Sequence, residues 1–257
     1  MSNISTNAKN PVLSLRKVCK KFGGVVAADQ IDIDLFRGEI FGLIGPNGAG
    51  KTTLINLITG IYNVDEGNVF LNNEEITKKP CHTRARKGIA RTFQHPRMLQ
   101  RCDLKTNIFL GIDLAEKKKQ GNRTHSDRLE LLDQLLDAAG LKIDMKDSVS
   151  QLSYGQQKLL EIVRSILTEP DVLLLDEPAA GLNPKEMEHI TALIAIAIKM
   201  NMAVLLIEHS MDLVMSICDR LTVLNFGHQI ANGNPAEIQG NPLVIEAYLG
   251  RKRDAKN

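Results

Sequence analysis

The stretch "GPNGAGKTT", Gly45 to Thr53, constrains this chain more than any other. It satisfies the pattern Gly-x-x-x-x-Gly-Lys-Ser/Thr and lies between a buried strand, "EIFGLIG" from Glu39, and a helix. Glycines let the backbone curl into a nest of N–H donors, and the following helix points its positive end at an anion held there. With a triphosphate in the nest, Lys51 reaches the β- and γ-phosphates and Thr52 offers a hydroxyl to magnesium. Gly45, Asn47, Gly48, Ala49, Gly50, Lys51, Thr52 and Thr53 are therefore the first candidate binding residues.

A second set of charges ends the apolar run "DVLLLDEP". Asp176 follows four apolar residues on a strand expected to lie beside the phosphate loop, where a carboxylate holds magnesium through water. Glu177 is one step further, placed to orient and deprotonate an attacking water as general base.

The rest of the chain supplies a frame for these loops. Apolar strand-like runs alternate with helical patterns, as in a mostly parallel sheet covered by helices. "EIFGLIG", "DVLLLDE", "AVLLIE" at Ala203 and "RLTVLN" at Arg220 read as core strands, and "VLSLRKV" and "IDIDLF" as an antiparallel N-terminal flank. From about Pro96 to Ser150 strand signal fades and helical segments appear near Lys105–Leu114 and Ser126–Ala139. The expected organisation is a single α/β domain, with a core at about 10–95 and 160–257 and an inserted helical subdomain at about 96–159. No internal repeat is present.

Other classes are excluded by charge and patterning. Net charge is +2, from 32 basic and 30 acidic residues, so no broad polyanion-binding surface is expected and nucleic acid is not a partner. Cys19, Cys81, Cys102 and Cys218 lie far apart, in neither a disulfide framework nor a metal spacing, which fits a reducing compartment. "MSNISTNAKNP" lacks the basic-then-apolar order of a secretory signal and reads as a polar tail. "ITALIAIAIKMNMAVLLI" from Ile190 approaches membrane-spanning length but carries Lys199 and Asn201 in its middle. It reads as a helix from about Pro184 to Met200 followed by a strand at Ala203–Ile207. "KKKQGNR" at Lys117 reads as a solvated loop and "RKRDAKN" as a frayed terminus.

These motifs, with "LSYGQQ" at Leu152 between them, resemble the nucleotide-binding subunit of an ATP-binding-cassette (ABC) transporter, in the required order over almost the whole chain. The resemblance implies a P-loop NTPase core, ATP as substrate, Mg2+ as cofactor and ATPase activity coupled to transport. It assigns adenine stacking to Phe22 in "KKFGG", magnesium sensing to Gln94 in "RTFQ", with Thr52 and Asp176 as the other metal-side residues, and a γ-phosphate contact to His209 in "LLIEHS". Ser153, Gly155 and Gln156 of the signature, and Asn183 of the crossing loop "AGLNP", would act on ATP held by a second subunit. A head-to-tail dimer follows, a homodimer or a pair with a close paralogue, closed by ATP and opened by hydrolysis. Integral-membrane permease subunits would hold the pair at the cytoplasmic face of the inner membrane, served indirectly by an extracytoplasmic amino-acid-binding protein.

"LSYGQQKLLEI", "VLLLDEPAAGLNPKE", "LLIEHSMDLVM" and "NPLVIEAYLG" together look like the ATPase of high-affinity branched-chain amino acid importers, a type that carries both the tyrosine and the Asn-Pro crossing loop. ATPases serving urea or short amides, or extracting lipopolysaccharide, are similar. A cassette ATPase working on DNA or ribosomes would carry a long coiled coil or two cassettes, and neither is present. Retention of Lys51, Asp176, Glu177 and His209 opposes a catalytically dead regulatory binder.

Tyr154 stands where the broader signature has glycine. Ser153-x-x-Gln156 is a capping-box pattern, which makes Ser153 the N-cap, Tyr154 the first helical residue and Gly155 the second. The first position needs no positive φ, so its ring is free to point aside. Gly155 is expected at the point where a side chain would obstruct the incoming γ-phosphate.

Overall fold

The computed structural model describes residues 10–118 and 123–249. The N-terminal tail, the "KKKQGNR" loop and the basic C-terminal tail fall wholly or largely outside them.

Leu13–Phe22 (β1) and Val25–Leu35 (β2) form an antiparallel pair whose turn residue Gly23 takes φ 57°, a value open to glycine. Alternation along both strands buries Leu13, Leu15, Ile31, Ile33 and Leu35 on one face. Ile40–Ile44 (β3) leads through the phosphate loop into Lys51–Thr59 (α1). Glu66–Leu71 (β4) and Glu74–Glu75 (β5) then complete a four-stranded antiparallel sheet of order β2-β1-β4-β5. Cys81–Lys87 (α2) and Ile89–Arg91 (β6) bring the chain to the second sheet. Helices Leu104–Lys118 (α3), His125–Ala138 (α4) and Tyr154–Leu167 (α5) follow with no named strand among the described residues between them. The remaining elements are Val172–Asp176 (β7), Pro184–Lys199 (α6), Ala203–Ile207 (β8), Met211–Ile217 (α7), Arg220–Asn225 (β9), His228–Gly233 (β10), Pro235–Gln239 (α8) and Pro242–Leu249 (α9).

The second sheet has six strands in the order β10-β9-β3-β8-β7-β6, parallel throughout except for β10. In this order β8 lies between β3, which leads into the phosphate loop, and β7, which ends in Asp176. "AVLLI" is buried at every residue, which suits it to that interior place. The Ile190 segment divides as expected, α6 ending at Lys199 and β8 starting at Ala203. Among the described residues no helix is long and apolar enough to cross a membrane.

Each parallel strand feeds two cores. On one face Leu173, Leu175, Val204 and Leu206 join the apolar sides of α3 to α6. On the other, Val172, Leu174, Ala203, Leu205 and Ile207 pack with α1 and the antiparallel sheet. Burying such side chains contributes about 25 cal/mol per Å2 of apolar surface removed from water, which keeps the sheet rigid beneath its loops.

Candidate active site

The phosphate loop follows the end of β3, and Gln94, Glu177 and His209 follow β6, β7 and β8. These groups leave the sheet at strand carboxyl ends, where open α/β sheets place their ligands. A cleft of about 360 Å3 opens there, lined by Phe22, Val25, Val26, Ala27, residues 47–53, Glu177 and His209. Gly45 (φ 149°) and Gly50 (φ 107°) sit where an added Cβ would strike the carbonyls of Leu224 and Ala27, so the loop's curl depends on both. Helix α1 starts without a capping side chain and without an acidic residue in its first turn. Helices α4, α5, α6 and α8 all have capping boxes. The first N–H groups of α1 are thus left to an anion.

Lys51 is buried and folds back on its own loop, Nζ donating to the carbonyls of Gly45 (2.7 Å) and Pro46 (3.0 Å). Burial lowers its pKa below the usual amine value, while the charges of Glu177 and Asp176 act in the opposite sense. Thr52 is exposed to the cleft. Phe22 is not a core residue: it stands exposed at the rim, edge-on to Tyr62 at 5.2 Å between centroids and with Lys20 Nζ over its ring at 5.3 Å.

Glu177 is the hub of the opposite wall. Its Oε1 lies 2.7 Å from His209 Nε2, and its Oε2 accepts from Gln94 Nε2 at 3.0 Å. Its φ is 49°, in the left-handed region, and its N–H donates to the Ile207 carbonyl. Asp176 is buried and accepts from Arg91 at 2.8 Å, while the other arm of that guanidinium donates to Asn56. The structure therefore gathers Gln94, Glu177 and His209 into direct contact. Thr52, Gln94 and Asp176 present only oxygen as ligand atoms, a hydroxyl, an amide and a carboxylate, a set suited to a hard cation such as magnesium.

Ser153, Gly155, Gln156 and Asn183 do not line this cleft. Helix α5 starts with Ser153 as N-cap: Ser153 Oγ accepts from Gln156 N–H, and Gln156 Oε1 accepts from Ser153 N–H. Asn183 caps α6 in the same way through Glu186. Gly155 packs on that same Glu186, whose carboxylate an added Cβ would strike. Tyr154 turns aside, its hydroxyl donating to the Gln94 carbonyl at 3.0 Å.

Several contributors carry no sequence signal of their own. Arg91, Tyr62 and Lys158 touch the named residues through the fold alone. Glu208 follows β8 and is buried; it accepts from Ala179 N–H and His209 N–H, and burial raises its pKa. Burial also raises the Tyr248 pKa, with the Gly45 backbone acting in the opposite sense, and Leu243, Glu246 and Ala247 of the same last helix line a cavity with Pro46, Asn47 and Ala49 of the phosphate loop. The one available signal was "LLIEHS", where a glutamate beside the histidine at a buried strand's end is a charge that needs partners.

A family model described as ABC transporter matches residues 28–180, and one described as Branched-chain amino acid ATP-binding cassette transporter matches residues 228–254. The chain is 42% identical over 253 residues to the high-affinity branched-chain amino acid transport ATP-binding protein LivG of Escherichia coli K12, covering 93% of this chain and 98% of that one. It is 41% identical, with the same coverage, to the high-affinity branched-chain amino acid transport ATP-binding protein BraF of Pseudomonas aeruginosa. Among solved structures it is similar to a nucleotide-free ATP-binding cassette from an ABC transporter, with TM-score 0.79, 32% identity and coverage of 94% and 100%.

Proposed function

Because the chain belongs to the ABC transporter family, among the ATP-binding subunits of branched-chain amino acid transporters, we propose that its cleft hydrolyses ATP with Glu177 as general base to drive import of those amino acids. The observation that carries the reading is the Glu177 carboxylate, held by Gln94 and His209 on the wall facing Lys51 and the phosphate loop.

The roles follow from placement. Phe22 stacks on the adenine, and the N–H groups of residues 47–53 bind the phosphates. Lys51 leaves the Gly45 and Pro46 carbonyls for the β- and γ-phosphates. Thr52, Asp176 and Gln94 hold magnesium, which when bound neutralises charge on the phosphates. Glu177 orients the attacking water and takes its proton, and His209 fixes the carboxylate and contacts the γ-phosphate.

Ser153, Gly155, Gln156 and Asn183 lie outside the cleft and serve ATP on a second subunit, so hydrolysis belongs to a head-to-tail dimer with a copy or close paralogue. Gln156 leaves its capping box to do so. The helical segment at about 96–159 forms the subdomain that couples the dimer to permeases at the cytoplasmic face of the membrane, and an extracytoplasmic binding protein delivers the amino acid. The cargo reading rests on the relatives and the 228–254 match, because nothing lining the cleft distinguishes one amino acid from another.

The test is Glu177→Gln. It should retain ATP binding, lose hydrolysis by about 100-fold or more, and run as an ATP-dependent dimer on size exclusion. Turnover at the wild-type rate would remove Glu177 from the mechanism. Cargo is tested by reconstituting the chain with its permeases and measuring leucine, isoleucine and valine uptake against urea; urea uptake alone would refute the assignment.

A further inference from the structure

Helix α5 carries a polar stripe that the proposed mechanism does not use. Tyr154, Lys158 and Glu161 follow one another at helical spacings of four and three, so they share a side of the helix. Each bonds to the backbone of a loop. The Tyr154 hydroxyl donates to the Gln94 carbonyl, and Glu161 accepts from Phe93 N–H (3.3 Å) and Arg97 N–H (2.8 Å), on either side of Gln94. Lys158 reaches the other loop: Nζ donates to the carbonyls of Glu177 (2.7 Å), Ala180 (3.0 Å) and Pro178 (3.4 Å).

Lys158 is 2% exposed, and a lysine is buried so deeply only when its charge has partners. An ammonium has three N–H donors, and three carbonyls of one turn take them. Burial lowers its pKa, opposed by the charges of Glu208, Glu177, Glu161 and Asp176. The turn it grips is unusual. Glu177 sits at φ 49°, a conformation that strains a non-glycine residue and is kept only where its surroundings impose it. The Glu177 N–H is held by Ile207 and its carbonyl by Lys158, so both flanking peptides are fixed.

We propose that Lys158 is a positioning residue for hydrolysis: by gathering the Glu177, Pro178 and Ala180 carbonyls it imposes the left-handed turn that aims the Glu177 carboxylate into the cleft. The inference rests on Glu177 being the base. Lys158 does not line the cleft, so its effect falls on turnover and not on nucleotide binding.

The experiment compares Lys158→Met, which keeps chain length and removes the ammonium, with Lys158→Arg, which restores a donor cation. Steady-state ATPase of the full chain with magnesium is measured beside equilibrium binding of a fluorescent ATP analogue. Lys158→Met should lose about tenfold or more in kcat, with KM and nucleotide affinity within about twofold of wild type, and Lys158→Arg should recover most of the loss. A merely structural lysine would lower binding and turnover together. Lys158→Met keeping kcat within about twofold, or both variants losing nucleotide binding in parallel with kcat, overturns the proposal. If Lys158→Met does not fold, Lys158→Gln replaces it under the same criteria. Glu177→Gln run alongside separates the two readings: if it stays active the base assignment fails, and if it is dead while Lys158→Met is active only the positioning role fails.

Discussion

Tyr154 occupies a glycine slot without obstructing a helix end, because its ring lies beside the mouth of α5 and its hydroxyl reaches the Gln94 carbonyl. That bond is solvent-accessible, and such bonds contribute about 1 kcal/mol. Tyr154→Phe and Tyr154→Gly should therefore keep ATPase activity within about tenfold, a barrier change of roughly 1.4 kcal/mol, as measured by phosphate release. Gly155→Asp should abolish activity, and the structure adds a reason within the subunit: the new carboxylate would be driven against Glu186. Equal losses at positions 154 and 155 would refute this contrast. Lys51→Ala removes the only ammonium in the phosphate loop, so ATP affinity should fall in equilibrium titration, and unchanged affinity would contradict its role.

At the level of elements, caps and buried charges set the predictions. Asn183 caps α6, and aspartate accepts the same bond. Asn183→Asp should match or exceed wild-type stability in urea unfolding, whereas Asn183→Ala should cost about 1 kcal/mol. Burial raises the Glu161 pKa above its unfolded value, so its protonated form is favoured on folding. That contribution is fully present below the unfolded pKa and is lost as pH rises through the folded pKa. Glu161→Gln should consequently lose less stability than wild type as pH rises above the ordinary glutamate range, followed by thermal unfolding. The same scale shows what could be read from the chain beforehand. Strands β3, β7, β8 and β9 are continuous apolar runs and were legible, as were α3 to α6 from their periodicity and caps. Strand β6 is three residues long and β10 is only half buried, so neither has a run to detect. The place of β8 between β3 and β7 is a matter of crossover order, which local pattern does not encode. Motif residues announce themselves by spacing; Arg91 and Lys158 do not, because their partners are more than a dozen residues away in sequence and meet them only through packing.

Across the whole molecule, one rigid sheet with a core on each face holds the site loops, so occupancy of the cleft stabilises the entire chain. With ATP and magnesium at about 100 times the dissociation constant, unfolding free energy should rise by about 2.7 kcal/mol, and calorimetry on Lys51→Ala should show most of that shift gone. The bonds that Glu177 makes to Gln94 and His209 without nucleotide have a consequence at this scale. They tie the proposed base to two side chains of its own subunit, and a lone subunit has no phrase like "LSYGQQ" from outside to complete the site around ATP. Below the concentration at which subunits pair, specific activity per chain should climb in proportion to chain concentration, then level off. A catalyst built on that reading would idle when solitary: its fuel use would report how many pumps have been assembled, and surplus copies drifting without a mate would leave the cell's ATP untouched.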